Sequence, residues 1–476
     1  MSAKVITRFS PSPTGYLHIG SLRTALYVFL FARHHQGKFY LRIEDTDQKR
    51  KVEGAVENLQ SILKFFGLNW DNEKIMIQSQ RLARYKQAAE QLVSEGKAYY
   101  CFCSEARLAD LKKIQEQKKM PPMYDGKCRD LDLAEAANRV ASGEPYVIRF
   151  KMPKTGQTEF TDLVRGRVIF DNKVLDDQII MKSDGYPTYH LAAIVDDHEM
   201  AITHVIRAEE WLSSTPKHIL LYRAFGWPAP EFAHLPLNLN PDKSKLSKRQ
   251  GDVAVEDFLK KGFLKEALLN FVLLLGWNPG TDQEIFSLNE MIEQFSLEKV
   301  SKSGSVFDVR KLEWLNGEYI RLKSPKEFAA LCQPYLAAAG IAADDDYIER
   351  AVATEQKRVK VISEIVAATE FFFKEPSYDP ELLIWKKLNR KETAQNLKML
   401  AERLSQIAEN KWQERALEDE IKDFIVASGR GTGDLLWPMR VALSGRKASP
   451  GPFEIAAVLG QKNTLKRINQ AIDLLK

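Results

Sequence analysis

The chain has 476 residues, with 69 Lys and Arg against 64 Asp and Glu, a formal net charge of +5. This length allows several domains with large cores, and so small a charge excess excludes a globally cationic binder, so nucleic acid would have to be held by local basic surfaces. Four cysteines exclude a disulfide scaffold and point to a reducing compartment, and no apolar run approaches the ~20 residues that span a bilayer.

Val5 to Phe9 alternates as a short strand, Pro11 to Gly20 cannot continue it, and Ser21 to Ala32 reads as a helix rich in Leu, Ala and aromatics. A helix start after such a loop leaves backbone N–H groups unpaired and carries partial positive charge, which makes it a seat for phosphate. His18 falls at that seat and can donate to a phosphate oxygen as charge builds there. Gly15 and Gly20 let the backbone come close to a nucleotide. A proline-rich turn with a capping histidine is the alternative for the loop taken alone. His34 and His35 read as helix-end surface residues.

Leu41-Arg42-Ile43-Glu44-Asp45-Thr46-Asp47 ends a second strand. Tyr99-Tyr100-Cys101 opens a different stretch: a charged helix over Glu105 to Lys119, a stop at Pro121-Pro122, and strands at Val147 to Lys151 and Val168 to Phe170. Within it Cys101-x-Cys103 precedes Tyr124-x-x-x-Cys128, and three thiolates with one oxygen suit tetrahedral zinc. Three reduced cysteines that simply pack are the alternative.

Lys182-Ser183-Asp184-Gly185-Tyr186-Pro187-Thr188-Tyr189-His190 is expected to begin another strand, Val205 to Trp211 follows, and Ser214-Thr215-Pro216 starts a helix. Asn240-Pro241-Asp242 is a turn, so Lys245-Leu246-Ser247-Lys248-Arg249 is expected on a mobile loop, where two lysines three apart could close on a triphosphate. Ala267 to Leu275 reads as a core helix. After Lys323-Ser324-Pro325 the composition turns to Ala, Leu, Glu and Lys with helical periodicity. Gly429-Arg430-Gly431-Thr432-Gly433 has no preceding strand and no Gly-Lys-Ser/Thr ending, so it reads as a connection between helices. Cys332 reads as a buried small hydrophobe.

The segment from Pro11 to Gly20, paired with Lys245 to Arg249, resembles the two signatures of class I aminoacyl-tRNA synthetases. The blocks at 41–47, 182–190 and 205–211 resemble the glutamyl enzyme of bacterial type. The similarity is specific to about Tyr319 and weaker beyond. It implies an α/β fold: a Rossmann-like catalytic domain over 1–98 and 186–238, an inserted acceptor-stem-binding domain with the zinc site over 99–185, and a stem-contact domain with the lysine loop over 239–322. An all-α anticodon-binding domain over 323–476 would follow. The implied reaction is activation of L-glutamate by ATP with Mg2+ and transfer to the 3′-terminal adenosine of tRNA-Glu, by a cytoplasmic monomer with no cleaved leader.

By this resemblance His18, Lys245 and Lys248 serve catalysis, with ATP held by Gly15, His18, Gly20, Glu210, Leu246, Ser247 and Lys248. Glutamate falls to Arg8, Ser10, Glu44, Tyr189 and Arg207, and which arginine meets the side-chain carboxylate stays open. Glu44, Asp45 and Asp47 could otherwise form a metal cluster. Many relatives place His two residues past the third cysteine, where this chain has Asp130, so the fourth ligand of the Cys101, Cys103, Cys128 and Tyr124 set is also open. Arg358 falls where the glutamyl enzymes that discriminate between tRNAs place an arginine against the third anticodon base. A shorter paralogue that modifies queuosine lacks the helical third, glutaminyl enzymes carry a β-barrel there, and a non-enzymatic derivative would have lost the signatures.

Overall fold

The computed structural model describes residues 4–246 and 254–476. The chain forms two compact units, Met1–Phe258 with Leu268–Val309, and Leu259–Ala267 with Arg310–Lys476.

In the first unit the chain runs through β1 (Ile6–Phe9), α1 (Ile19–His34), β2 (Lys38–Ile43), α2 (Ala55–Phe65), β3 (Met76–Ile77) and α3 (Leu82–Ser94). It continues through β4 (Ala98–Cys101), α4 (Glu105–Gln117), α5 (Leu133–Ala141), β5 (Val147–Phe150), β6 (Gln157–Asp162), β7 (Gly166–Asp171) and β8 (Ile179–Met181). It closes with α6 (Tyr189–Glu199), β9 (His204–Ala208), α7 (Thr215–Phe225), β10 (Glu231–Leu235), β11 (Asn238–Leu239), α8 (Val255–Lys260), α9 (Lys265–Leu274), α10 (Leu288–Gln294) and β12 (Ser305–Val306), with the end of α8 and the start of α9 belonging to the second unit.

Seven strands form one sheet in the order β3-β2-β1-β9-β10-β6-β7. All neighbours are parallel except the β6–β7 hairpin. The chain builds outward from β1 through β2 and β3, then returns to build β9 and β10 on the other side. Strand order therefore reverses between β1 and β9, and the crevice beyond their carboxyl ends is where an open α/β sheet takes a ligand. Leu92 of α3, Leu191, Ile194 and Val195 of α6, and Val205 of β9 share one buried cluster behind that edge.

The segment expected as an insertion is not detached from this sheet. β4, β5 and β8 make a separate antiparallel sheet, but β6 pairs beside β10 at Phe232 and Asp162. The strand expected to begin at Lys182 is a correction: it ends there instead. Lys182 N–H donates to Tyr186 O (2.9 Å), Asp184 Oδ1 accepts from Tyr186 N–H (3.0 Å), Gly185 takes φ 80°, and the chain enters α6 at Tyr189. The Ser-Asp-Gly turn chemistry overrides the local pattern.

The second unit contains α11 (Val309–Arg321), α12 (Pro325–Ala338), α13 (Asp345–Ala353), α14 (Ile365–Phe373), α15 (Arg390–Ser405), α16 (Glu414–Ser428), α17 (Thr432–Ser444) and α18 (Pro452–Leu474). Ser324 with Glu327, and Asn389 with Glu392, close reciprocal capping boxes at the starts of α12 and α15. Leu397, Leu400 and Leu404 of α15 pack with Leu435 and Met439 of α17 and Ile455 and Ile468 of α18. Residues 429–431 connect α16 to α17, and Cys332 is buried in α12.

Candidate active site

A cavity of about 370 Å3 opens at the strand-order reversal. Arg8, Phe9 and Ser10 line it from the end of β1, Ile206, Arg207 and Ala208 from the end of β9, and Gly15 and His18 from the loop before α1. Glu44, Tyr189 and Glu210 complete the set of sequence-expected residues that converge on it. Trp211, which sequence reasoning did not assign a role, also lines it, its ring centroid 4.4 Å from that of Tyr189.

Three arginines define the electrostatics, and they differ in kind. Arg8 donates from Nε and Nη2 to the two oxygens of Asp197 (2.9 and 3.3 Å), with side chains only 4% and 5% exposed. Arg42, wholly buried, donates from Nη1 to Asp197 (2.6 Å) and from Nη2 to Glu44 (2.9 Å). Burial alone would raise the Asp197 carboxyl, but Arg42 and Arg8 outweigh it and hold its pKa below the ordinary value. For Glu44 burial wins over the pull of Arg42 and Arg8, and its pKa lies above the ordinary value.

Arg207 has no such carboxylate among the described residues. Its Nε donates to His234 Nε2 (3.1 Å), Nη1 to Tyr189 Oη (2.9 Å) and His218 Nδ1 (3.3 Å), and Nη2 to Thr215 Oγ1 (2.8 Å) and Trp211 O (3.3 Å). All five N–H donors thus meet uncharged acceptors. Burial and the nearby Arg207 hold the His218 imidazole well below its usual pKa, and burial with Lys217 and Arg207 pushes His190 down to about 4. The guanidinium keeps an uncompensated positive charge at the cavity wall.

On the loop side of the cavity, His18 caps α1 by accepting from Gly20 N–H at Nδ1 (2.9 Å). That bond leaves Nε2 as the donor of the neutral ring. The Gly20 N–H is therefore already taken. A Cβ on Gly20 would stand 3.0 Å from Asn238 Nδ2 and 3.2 Å from His18 Nδ1, and Gly15 takes φ 142°, which favours glycine. Lys245 pairs with Glu210, which joins the lysine segment to the cavity, and Leu246 N–H donates to Asn238 O (2.9 Å). Ser247 and Lys248 lie outside the described residues.

The three carboxylates after β2 do not form a metal cluster. Glu44 faces Arg42, Asp45 accepts from Ser79 N–H (2.8 Å) and Ser79 Oγ (2.6 Å), and Asp47 pairs with Arg50 in solvent (2.6 Å).

Residues 4–314 match the family of class I tRNA synthetases (E and Q), catalytic domain, and residues 327–472 match the anticodon binding domain family. A glutamate–tRNA ligase of Chloroherpeton thalassium is 46% identical, with 100% of this chain and 99% of that protein covered, and one from Clostridium botulinum is 44% identical with full coverage of both. The chain belongs to the class I tRNA synthetases of the E and Q family. A crystal structure of a glutamate tRNA ligase from Elizabethkingia meningosepticum in complex with its amino acid superposes with a TM-score of 0.91 at 36% identity, covering 100% of both chains. The glutamate–tRNA synthetase of Elizabethkingia anophelis gives 0.90 at 36%, covering 99% of this chain and 100% of that one. The fold is that of a class I synthetase catalytic domain followed by a helical anticodon-binding region, and no helix among the described residues is long and apolar enough to cross a membrane.

The synthetase carries a second constellation at the end of β4. Tyr124 Oη lies 3.3 Å from Cys101 Sγ and 3.4 Å from Cys103 Sγ, Cys103 and Cys128 Sγ are 3.7 Å apart, and all three sulfurs fall within 4.8 Å of one another. Sulfurs bound to zinc at about 2.3 Å in a tetrahedron stand about 3.7 Å apart, so the donor set fits the ion. Cys128 N–H donates to Tyr124 Oη (2.9 Å), and the Arg149 guanidinium sits 4.0 Å from the Tyr124 ring centroid. Asp130 is exposed and does not join this group. In the helical region Arg358 donates from Nη1 to Ser449 O (2.8 Å) and pairs with Glu355 (3.2 Å), its side chain 47% exposed.

Sequence reasoning gave no role to Arg42, Asp197, His218 and His234, which hold the cavity-lining residues in place. Asp197→Asn is expected to lower the stability of the catalytic unit by about 3–5 kcal/mol, because two buried guanidinium groups lose their shared anion. The Asp197 pKa is depressed in the fold, so its contribution is fully present above the unfolded value of about 3.9 and is lost as pH falls through the folded value. Urea unfolding of wild type and variant should therefore show a constant gap at neutral pH that narrows below about pH 4.

Proposed function

We propose that the chain is a glutamate–tRNA ligase. It joins the α-carboxylate of L-glutamate to the α-phosphate of ATP with loss of pyrophosphate, then passes the glutamyl group to the 3′-terminal ribose hydroxyl of tRNA-Glu as AMP leaves. The reading is supported by the full-length similarity to curated glutamate–tRNA ligases. The one structural observation that carries it is Arg207: a buried cation in contact with neutral groups only, beside Arg8 and Glu44 in one cavity.

Glutamate brings two carboxylates and one ammonium. Arg207 and Arg8 supply the cations, Glu44 the anion, and Ser10 and Tyr189 neutral hydrogen bonds. Glutamine would place an uncharged amide where a carboxylate balances Arg207, so the same wall selects against it. ATP would lie along the loop before α1, with the His18 Nε2–H donating to a phosphate oxygen as charge develops and Lys245 and Glu210 beside the nucleotide. By resemblance Ser247 and Lys248 act on the phosphates from the segment after Leu246. Magnesium accompanies ATP on its phosphates. No covalent protein intermediate is needed, since both steps are positioning and charge stabilisation.

Purified protein supplied with ATP, L-glutamate and tRNA-Glu should form glutamyl-tRNA, and Arg207→Ala should lower kcat/KM for glutamate about 100-fold through loss of the buried positive charge that balances the substrate carboxylate. Normal glutamate use by that variant would overturn the pocket.

A zinc ion held by Cys101, Cys103, Cys128 and Tyr124 would supply structural cross-linking of the segment after β4. Metal analysis of protein purified without chelator should find about one zinc per chain, and Cys101→Ser should lose it while ATP binding persists. A metal-free wild type would show that the cysteines only pack.

Arg358 would meet an unstacked anticodon base in the helical region, and the enzyme would prefer tRNA-Glu to tRNA-Gln. Charging of both tRNAs by wild type and Arg358→Gln tests this: the variant should lose preference by about tenfold, whereas equal charging of both tRNAs by wild type would contradict it.

A further inference from the structure

Arg207 is held on its inner side by His234, and His234 is held by a residue from a different part of the chain. Asp162, the last residue of β6, places Oδ2 2.5 Å from His234 Nδ1, with both side chains fully buried. Its other oxygen, Oδ1, is occupied by the backbone N–H groups of Val164 (3.0 Å), Arg165 (2.8 Å) and His234 (3.2 Å). Burial works against the Asp162 charge, but the His234 and backbone bonds outweigh it and keep the carboxyl below its ordinary pKa; burial keeps His234 below its own despite Asp162. An ionised carboxylate against Nδ1 of a neutral imidazole fixes one tautomer: Nδ1 carries the proton, and the Nε2 lone pair faces the Arg207 Nε–H at 3.1 Å. The other tautomer would set N–H against N–H. Thr215 Oγ1, also 3.1 Å from Nε2, already accepts from Arg207 Nη2.

We propose that Asp162 and His234 are positioning residues for glutamate recognition: the hairpin carboxylate fixes the His234 tautomer, and His234 thereby aims Arg207 without cancelling its charge. Arg8 shows the contrast, because it is oriented by a carboxylate in direct contact. An imidazole between Asp162 and Arg207 supplies the same orientation while the anion stays one ring away. The pair also ties the β6–β7 hairpin to the amino-acid pocket. The inference rests on the reading that Arg207 receives a carboxylate of glutamate.

Asp162→Asn isolates the tautomer. The three backbone donors keep the amide oxygen at the Oδ1 position, so the amide NH2 must face His234 Nδ1, which then accepts and moves the ring proton to Nε2. The expected result is a rise in KM for glutamate of at least about tenfold, with KM for ATP and kcat at saturating glutamate within about threefold of wild type, since misaiming a charged donor by under an ångström weakens binding on that scale. A merely structural defect would lower the active fraction, and so kcat, at unchanged KM. Nitrogen-15 NMR of histidine-labelled full-length protein, with His234 assigned by its loss in His234→Gln, should show an Nδ1–H ring in wild type and Nε2–H in Asp162→Asn. Unchanged KM for glutamate in Asp162→Asn, whichever tautomer it shows, overturns the proposal. Should that variant not fold, the wild-type spectrum decides: an Nε2–H ring, or an Nε2 signal that does not move when L-glutamate is added, also overturns it. If Arg207→Ala is impaired while Asp162→Asn is normal, only the positioning role fails; if Arg207→Ala is normal, the pocket reading itself fails.

Discussion

A positive charge buried without a carboxylate in contact is costly, and in this chain the Arg207 guanidinium carries that cost at the wall of the cavity. Five neutral acceptors hold it in place. An incoming carboxylate relieves the imbalance, so part of the desolvation of the substrate is met by a site already short of an anion. Arg8 and Arg42 show the alternative arrangement, in which Asp197 and Glu44 touch the cations directly and hold them as a rigid floor. On the proposed reading the pocket uses both kinds: a fixed floor that places the ammonium near Glu44, and an unbalanced wall that selects charge.

Sheet topology makes this possible. Arg8 lies near the end of β1 and Arg207 near the end of β9, adjacent parallel strands whose connections leave in opposite directions. Their carboxyl ends open into a crevice that no crossover fills, with the start of α1 on one side. The same sheet accepts β6 beside β10, which brings Asp162 behind His234. A hairpin from the segment after β4 therefore supports the cavity wall from within the sheet.

The sequence made legible what chemistry demands at fixed spacing. The loop from Pro11 to Gly20, the helix start at Thr215 and the Cys101, Cys103, Tyr124, Cys128 set all fall at short range, where turn chemistry and ligand type leave a local trace, whereas Arg8 and Arg207 were singled out by the resemblance alone. What did not show was held by long-range geometry. Asp197 is 189 residues from Arg8, and Asp162 is 72 from His234. Nothing near either carboxylate marks it as a partner, because an Asp at the end of a helix or strand reads as a cap. The hairpin β6–β7 was likewise read as part of a separate insertion, since its pairing with β10 rests on one register contact far along the chain. At the start of α1, where unpaired N–H groups were expected, the Gly20 N–H is taken by His18 two residues earlier, the capping histidine that the loop alone had offered as the alternative.

The central claim is that the cavity discriminates by charge. Calorimetric titration of the full-length protein with L-glutamate and with L-glutamine, at neutral pH and moderate salt, tests it most directly. Glutamate should bind at least about tenfold more tightly than glutamine, the scale on which a buried unpaired charge separates a carboxylate from an amide of the same shape. Equal affinity for the two amino acids would contradict the account.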